Sequence, residues 1–167
     1  MTYFEKYIQR YLDMIPSGNW MEEMKNSGEK TVEIYKNLTE DQSHYAYEEG
    51  KWTLKEVLLH LSDTERIFQY RALAFARGEK AQLPGFDENE YAESSHANER
   101  TLESLIEEYQ LIRKLSELTF ETMSSSVFDN KGNANGNEIS VETLGKLIIG
   151  HNYHHLHIIE ERYLSSL

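Results

Sequence analysis

Two histidines near the end of the chain have the spacing that lets two imidazoles hold one metal ion. His151 and His155 are four residues apart in a segment whose apolar residues recur at helical intervals. Residues at i and i+4 lie on one face of an α-helix, roughly 6 Å apart along its axis. Both side chains therefore point to the same side of the predicted helix, where one ion can reach both rings.

The apolar pattern around this pair predicts that it faces the protein interior. The apolar stripe consists of Leu144, Ile148, His151, His155 and Ile158. Its intervals of four, three, four and three residues are typical of a buried helical face. Because unpaired polar groups are costly to bury, the two rings must either find polar partners or bind a ligand.

A third histidine, His60, lies in the middle of another predicted helix. In a helical bundle, the middle of that helix can face the middle of the last one. Three neutral imidazoles with a fourth position left to water form the ligand set of an open catalytic zinc site. Nickel, iron and manganese also accept nitrogen ligands. We therefore predict that His60, His151 and His155 bind a divalent metal ion, with zinc or nickel first and iron or manganese as alternatives.

Two acidic residues close to His60 leave an alternative open. Buried histidines can pair with Asp63, Glu65 or backbone groups instead of a metal ion. Either carboxylate could also orient a ligand imidazole or take a proton. The simpler interpretation is a salt bridge on the helix surface with Arg66 or Lys55.

The other four histidines fit the stripe less well. His154 and His157 lie off it, which places them around the site or on the surface. His154 could nevertheless replace His151 if the last helix is rotated. His44 and His96 fall in predicted connections, where we expect them to be exposed to solvent.

Helical periodicity and capping signals predict an all-α protein. The predicted helices cover about residues 2–14, 20–38, 53–77, 101–123 and 140–164. Thr53 and Glu56 form a capping-box pattern at the start of the third, and Gly78 follows its end. We interpret residues 78–100 as a functional or capping loop and expect a loop or small hairpin within residues 124–138.

Four long helices of comparable length, with a short extra helix at the N-terminus, predict a four-helix bundle. The interior of such bundles is a common place for a metal site. A length of 167 residues is most simply one domain, here residues 1–167.

Composition narrows the range of partners and chemistry. The formal net charge of −12 disfavours binding to nucleic acids and to anionic membrane surfaces. No apolar run is long enough to span a bilayer, and the first residues do not resemble a secretory signal. With no cysteine, the chain has neither disulfides nor a thiol nucleophile of its own. We expect a cytoplasmic protein.

Four segments, in order and at suitable separations, resemble motifs of one known family. The run WTLKEVLLHLSDTER at residues 52–66 resembles the first metal-site helix of that family. Tyr70-Arg71 and the run LPGFDE at residues 83–88 are similar to the stretch after that helix in many members. The run GHNYHHLHII at residues 150–159 resembles the closing motif, in which two histidines are separated by three residues. The combination covers nearly the whole chain and resembles the DinB-like superfamily.

The resemblance implies a four-helix bundle of the DinB/YfiT type with a three-histidine site for a divalent metal. Its first ligand corresponds to His60, and the closing pair to His151 and His155. Members include bacillithiol transferases and mycothiol-dependent enzymes such as maleylpyruvate isomerase, in which the metal activates a low-molecular-weight thiol. Others are labelled metal-dependent hydrolases. The family also often forms dimers, which makes a homodimer the expected assembly.

The resulting prediction is a metal-dependent thiol transferase or hydrolase that acts on a small molecule. The catalytic residues stay unassigned, and the aromatic residues that could line the pocket or simply pack in the core are Trp52, Tyr70, Phe86 and Tyr91. The alternative is a non-catalytic, metal-stabilised bundle that binds a ligand or mediates assembly. A fourth protein ligand on the metal would favour that structural role, and an open coordination position with a pocket would favour the enzyme.

Overall fold

Local capping signals determine where the longest helix begins and ends. In the computed structural model, which describes all 167 residues, the Thr53 hydroxyl accepts a hydrogen bond from the backbone N–H of Glu56. The Glu56 carboxylate accepts one from the backbone N–H of Thr53. Gly78 ends the helix at φ = 86°, a backbone conformation that favours glycine. The predicted capping box is therefore confirmed.

Seven α-helices and one β-hairpin make up the fold. They are α1 (Tyr3–Leu12), α2 (Trp20–Lys36), α3 (Glu40–Ser43), α4 (Leu54–Ala76), α5 (Glu88–Ser94), α6 (Leu102–Thr122), β1 (Lys131–Ala134), β2 (Asn137–Ser140) and α7 (Val141–Ile158). Single turns of 3₁₀-helix lie at Ala97–Glu99, Ser125–Val127 and Leu164–Ser166, and a π-helical turn at Ile159–Tyr163 extends α7.

The four long helices pack as a bundle. Helix α4 contacts both α6 and α7, and α2 contacts the same two helices, so α2 and α4 lie at opposite corners. The short helix α1 packs against α7. The predicted all-α, four-helix bundle with an extra N-terminal helix is confirmed. None of its helices is both long and apolar enough to span a bilayer.

A polar layer divides the core of the bundle into two apolar clusters. One cluster includes Phe75 of α4 and Leu144 of α7, and the other includes Leu58 of α4 and Tyr109 of α6. The buried polar residues between them are Ser27, Thr31, His60, Thr64, Glu65, Arg113, Ser116, His151 and Asn152. Each long helix therefore carries polar side chains into the middle of the bundle.

The hairpin closes one side of the bundle next to α4 and α7. Its strands pair antiparallel, with Lys131 opposite Ser140. Asn135 and Gly136 both have positive φ, at 53° and 80°, which is the backbone of a type I′ turn. Leu83 extends this pairing, because its backbone N–H and C=O bond to the hairpin at 2.9 Å each. The hairpin expected within residues 124–138 is present and extends to residue 140.

Two local features differ from the sequence pattern. The segment 78–100, interpreted as a functional or capping loop, also contains α5 and a 3₁₀ turn. Leu73 of α4 and Leu115 of α6 have the helical spacing of the buried apolar residues of these helices, but they are 41% and 52% exposed. Apolar periodicity identifies a helical face, but it does not tell whether a neighbouring element covers the whole of that face.

Candidate metal site

Three imidazole nitrogens converge at the interface between α4 and α7. The Nε2 atom of His151 lies 3.0 Å from Nε2 of His60 and 3.1 Å from Nε2 of His155. One nitrogen from each of the three rings lies within 4.8 Å of the others. His60 is 5% exposed and His151 9% exposed. The structure thus brings together the three residues that sequence spacing selected.

The donor set suits a cation better than it suits a hydrogen-bonded cluster. A neutral imidazole has one N–H donor and one acceptor nitrogen. Nε2 of His151 meets two other Nε2 atoms, and one atom cannot make good hydrogen bonds to both. A metal ion would accept a lone pair from each ring. At metal–nitrogen distances near 2.0–2.1 Å, ligand nitrogens of a tetrahedral ion are about 3.3 Å apart, close to the observed spacing.

Burial keeps the three rings neutral. Desolvation, followed by the nearby His154, lowers the pKa of His60 to about 4. Desolvation and the neighbouring histidines also hold the pKa of His151 and of His155 well below the usual value for histidine. Since metal ions bind the neutral form of imidazole, the site is ready to accept a cation at neutral pH.

Aromatic rings and one hydroxyl surround the histidines. The Trp52 ring lies against His60, with centroids 4.8 Å apart. The Tyr11 ring lies 5.9 Å from His151 and 5.4 Å from His154. The Thr64 hydroxyl is 3.5 Å from Nδ1 of His60, at the long limit for a hydrogen bond. The contacts with Trp52 and Thr64 restrict the orientation of the His60 ring.

A cavity of about 290 Å³ opens beside the site and reaches His151. Helix α1 contributes Tyr7 and Tyr11 to its wall, and Phe86 comes from the segment before α5. Its other walls are formed by α4, α7 and the hairpin, and most of the lining residues are apolar. A small molecule in this space would contact His151, one of the three clustered histidines.

The two acidic residues near His60 in sequence do not contact it in the structure. Asp63 lies 3.4 Å from Arg66, which forms a second ion pair with Glu108. Glu65 points into the core, where it pairs with Arg113. The predicted surface salt bridge with Arg66 is therefore present for Asp63. For Glu65 the prediction was wrong, because its partner is Arg113 and the pair is buried.

The remaining histidines lie outside the cluster. His157 is exposed and pairs with Glu161, and His44 and His96 are exposed as expected. His154 is partly buried and its ring packs against that of His155 at 5.1 Å. It does not replace His151 in the cluster.

The four aromatic residues considered for the pocket have different positions. Phe86 lines the cavity, while Trp52 covers His60 from the side. Tyr91 packs against Phe86, with ring centroids 5.2 Å apart. Tyr70 is 59% exposed and lies away from the cavity.

Sequence reasoning missed a buried hydrogen-bond network on the far side of α7. Arg113 forms a bidentate pair with Glu65 at 2.9 and 2.9 Å and also donates to the amide oxygen of Asn152. Tyr109 donates to the same oxygen, and Asn152 donates to Thr31. The sequence contained one signal for this network. Arg113 follows Tyr109 by four residues and so lies on the apolar face of α6, where a charged residue is unexpected.

Comparisons with known proteins agree with this architecture. A sequence model of the DinB superfamily matches residues 23–159. YfiT from Bacillus subtilis, described as a probable metal-dependent hydrolase with an unusual four-helix bundle topology, superposes with a TM-score of 0.76. That match covers 85% of this chain and 82% of YfiT at 19% identity, so it shows the fold alone. A search of curated proteins finds no match. Because the superfamily match spans most of its length, the chain belongs to the DinB superfamily.

Proposed function

We propose that this protein is a metal-dependent enzyme that acts on a small molecule, with His60, His151 and His155 as ligands of one divalent ion. The observation that carries the proposal is the convergence of three imidazole nitrogens beside a cavity, from the buried His60 and His151 and the partly buried His155. Zinc or nickel suits such ligands, with iron and manganese as alternatives. The description of YfiT as a probable metal-dependent hydrolase supports the same assignment.

The chemistry depends on the ligand set. A divalent ion bound here would lower the pKa of a neighbouring water or thiol and polarise an electrophile. Since the chain has no cysteine, a thiol nucleophile must come from a low-molecular-weight cosubstrate. Two reaction classes are therefore proposed, hydrolysis with water and transfer of a cellular thiol.

The residues around the three histidines orient a ligand ring, can donate a hydrogen bond to the substrate and keep water away from the reacting groups. Thr64 lies beside Nδ1 of His60 and favours the orientation that turns Nε2 to the centre. The Tyr11 hydroxyl is 3.2 Å from that of Tyr7. Burial, followed by Tyr7, raises the pKa of Tyr11, so its phenol stays protonated and can donate to a substrate oxygen. The apolar walls of the cavity limit access of water to the reacting groups.

The alternative, a metal-stabilised bundle without catalysis, has less support. Structural zinc sites are normally closed by four protein ligands. Here three potential ligand side chains come together, and the cavity extends to one of them, His151. This arrangement leaves a position for a substrate or a water molecule.

Metal analysis of purified protein tests the ligand assignment. We expect about one zinc or nickel ion per chain in the wild type, because the site has one centre. Replacing any ligand by alanine, as in His60→Ala, should lower metal affinity by at least 10- to 100-fold. His157→Ala and His44→Ala are matched controls, since both histidines are exposed, and these variants should keep full occupancy. Full metal content in His60→Ala would contradict the assignment.

Intact-mass screening tests the reaction class. Several cellular thiols would be offered with a generic electrophile, and a parallel reaction would contain an activated ester with water alone. Turnover should depend on metal and on His155, and should return when zinc or nickel is added back. Turnover that survives thorough demetallation would contradict the proposed mechanism.

We further propose a homodimer in the cytoplasm, in line with the family resemblance. Light scattering of the purified protein at several concentrations would measure its mass in solution. A particle with the mass of one 19.6 kDa chain at every concentration would contradict the dimer.

A further inference from the structure

The cavity contains a buried cation that no carboxylate of the chain neutralises. Arg71 of α4 is 8% exposed and lines the cavity. Its Nη2 atom donates to the backbone carbonyl of Pro84 at 2.6 Å, and this neutral group is its one hydrogen-bond acceptor in the protein. Buried charges in proteins are normally paired, so Arg71 lacks an anionic partner.

The other buried arginine has the partner that Arg71 lacks. Arg113, which is 4% exposed, pairs with the carboxylate of Glu65 and bonds to further polar groups. Burial outside such a pair disfavours the charge, and desolvation lowers the pKa of Arg71. The chain thus provides a counter-charge for Arg113, which has a structural role, and none for Arg71.

Arg71 and the histidines lie at different levels of the same cavity. Thr64, Phe68 and Arg71 line it from α4, at intervals of four and three residues. At 1.5 Å per residue, Thr64 and Arg71 are roughly 10 Å apart along the helix axis. From α7, His151 lines the cavity beside the metal site. The cavity is therefore elongated, with the imidazoles near Thr64 and the guanidinium further along.

The lining between these two levels is apolar. Ile8 of α1, Phe68 of α4 and Leu147 of α7 all face the cavity. Asn135 of the hairpin lies near Gly85, so an uncharged amide is present on the same wall. Glu88 also lines the cavity but is exposed and forms no ion pair with Arg71.

We propose that Arg71 binds the carboxylate of the substrate, whose apolar body fills the cavity and whose other end reaches His151 at the proposed metal site. A planar carboxylate matches the two-pronged donor geometry of a guanidinium. The nitrogens that do not bond to Pro84 supply the donors. This inference names the substrate class for the proposed function and rests on that function for the reaction, but binding of the carboxylate does not require the metal.

Calorimetric titration with octanoate and with 1-octanol, its uncharged counterpart, tests the inference. The wild type should bind octanoate more tightly than 1-octanol, because only octanoate can pair with Arg71. Arg71→Gln, which removes the guanidinium and its charge but keeps a polar side chain, should weaken octanoate binding by about 10- to 100-fold. It should leave 1-octanol binding unchanged. Arg77→Gln removes an exposed positive charge from the end of the same helix and should bind octanoate like the wild type.

A second pair of titrations separates this inference from the metal proposal. Octanoate would be titrated into demetallated and zinc-loaded protein, and Arg71→Gln should weaken binding in both. If binding instead depends on zinc and on His155 but not on Arg71, the carboxylate sits at the metal. The Arg71 assignment is then overturned while the metal site stands. Absence of saturable octanoate binding in the wild type would also overturn it.

A stability measurement tests the competing structural role for Arg71. If the guanidinium mainly holds Pro84 in place, Arg71→Gln should unfold at lower denaturant concentration and keep its affinity for octanoate. If it serves a ligand, the variant should be as stable as the wild type, because an unpaired buried charge has been removed. A destabilised variant with unchanged octanoate affinity would overturn the inference.

Discussion

Burial determines the protonation state of the three histidines at the scale of single residues. Each ring lies between α4 and α7, and each has its pKa lowered first by desolvation. The same low-dielectric surroundings that disfavour a charged imidazole favour a neutral ligand. In the metal-free protein, however, acid protonates rings whose charged form is poorly hydrated because they are buried.

The pH dependence of stability in the metal-free protein depends on these shifts. The pKa of His60 is about 4 in the folded state and about 6.5 in an unfolded chain. Between these values the unfolded state binds the proton and the folded state does not. Stability is therefore fully present above about pH 6.5 and is lost as the pH falls toward 4. The loss for His60 between pH 7 and pH 5 should be about 2 kcal/mol.

Denaturant unfolding in the presence of a chelator, at pH 7 and pH 5, measures this loss. Other groups also titrate between pH 7 and pH 5, so the effect of His60 must be isolated by substitution. His60→Leu should lose about 2 kcal/mol less than the wild type over this interval. His157→Ala, which removes an exposed ring, should behave like the wild type. Equal pH dependence in all three proteins would show that His60 is not buried in a neutral form.

Sequence spacing predicted the histidines but not the arginines. The imidazole pair is local, four residues apart on one helix, and its chemistry is visible without knowledge of the fold. The partners of Arg113 lie on three other helices, and Glu65 is 48 residues away. Arg71 is exceptional because it has no anionic partner, and this feature can be seen only in the folded structure.

At the scale of elements, two polar clusters lie on opposite sides of α7 at the same level of the bundle. His151 faces α4, whereas its neighbour Asn152 bonds to residues of α2 and α6. The same division occurs on α4, where Thr64 faces the cavity and Glu65 faces Arg113. The network therefore fixes the rotation of α4 and α7 about their axes, and with it the direction of the imidazoles.

Asn152→Ala should destabilise the fold and weaken metal binding together. The substitution leaves Arg113 and Tyr109 without their shared acceptor in the core. We expect the free energy of unfolding to fall by about 2–4 kcal/mol, measured by denaturant titration. Zinc affinity should fall as well, because α7 is then less constrained in rotation.

Tyr153→Phe provides the matched control for this substitution. It removes a hydrogen bond from the next residue of α7 to Glu23 in a partly buried position. Its effect should be about 1 kcal/mol or less, with zinc affinity unchanged. If Asn152→Ala loses stability but keeps full zinc affinity, the network supports the fold without orienting the ligands.

Short local sequence patterns predicted the ends of helices and the turns best. The capping box at Thr53, the left-handed Gly78 and the Asn135-Gly136 turn are local, and the structure contains each of them. Helix α5 was not predicted, because it is polar and buries only Ala92. Helix α1, which forms one wall of the cavity, precedes the residues that match the superfamily model. The shape of the cavity therefore depends on a part of the chain that the superfamily match does not describe.

At the scale of the whole molecule, the acidic surface complicates any test of metal binding. The chain carries 29 Asp and Glu residues against 17 Lys and Arg, and its net charge is −12. Divalent cations in general accumulate near such a surface. A specific site must therefore be distinguished from this acidic surface by the kind of metal ion that it prefers. Nitrogen ligands favour zinc and nickel, whereas magnesium and calcium prefer oxygen ligands.

Thermal melting with and without metal tests whether the site links the two helices that carry it. An ion that binds only the folded state at 100 times its Kd adds about 2.7 kcal/mol of stability. For a domain of this size, that corresponds to a rise in Tm of roughly 5–10 °C. Zinc or nickel should produce this rise in demetallated wild type, and a chelator should reverse it. Magnesium at the same concentration should shift Tm by much less, and His155→Ala should respond equally weakly to zinc and magnesium. An equal rise with zinc in His155→Ala would mean that the cation stabilises the acidic surface rather than the α4–α7 interface.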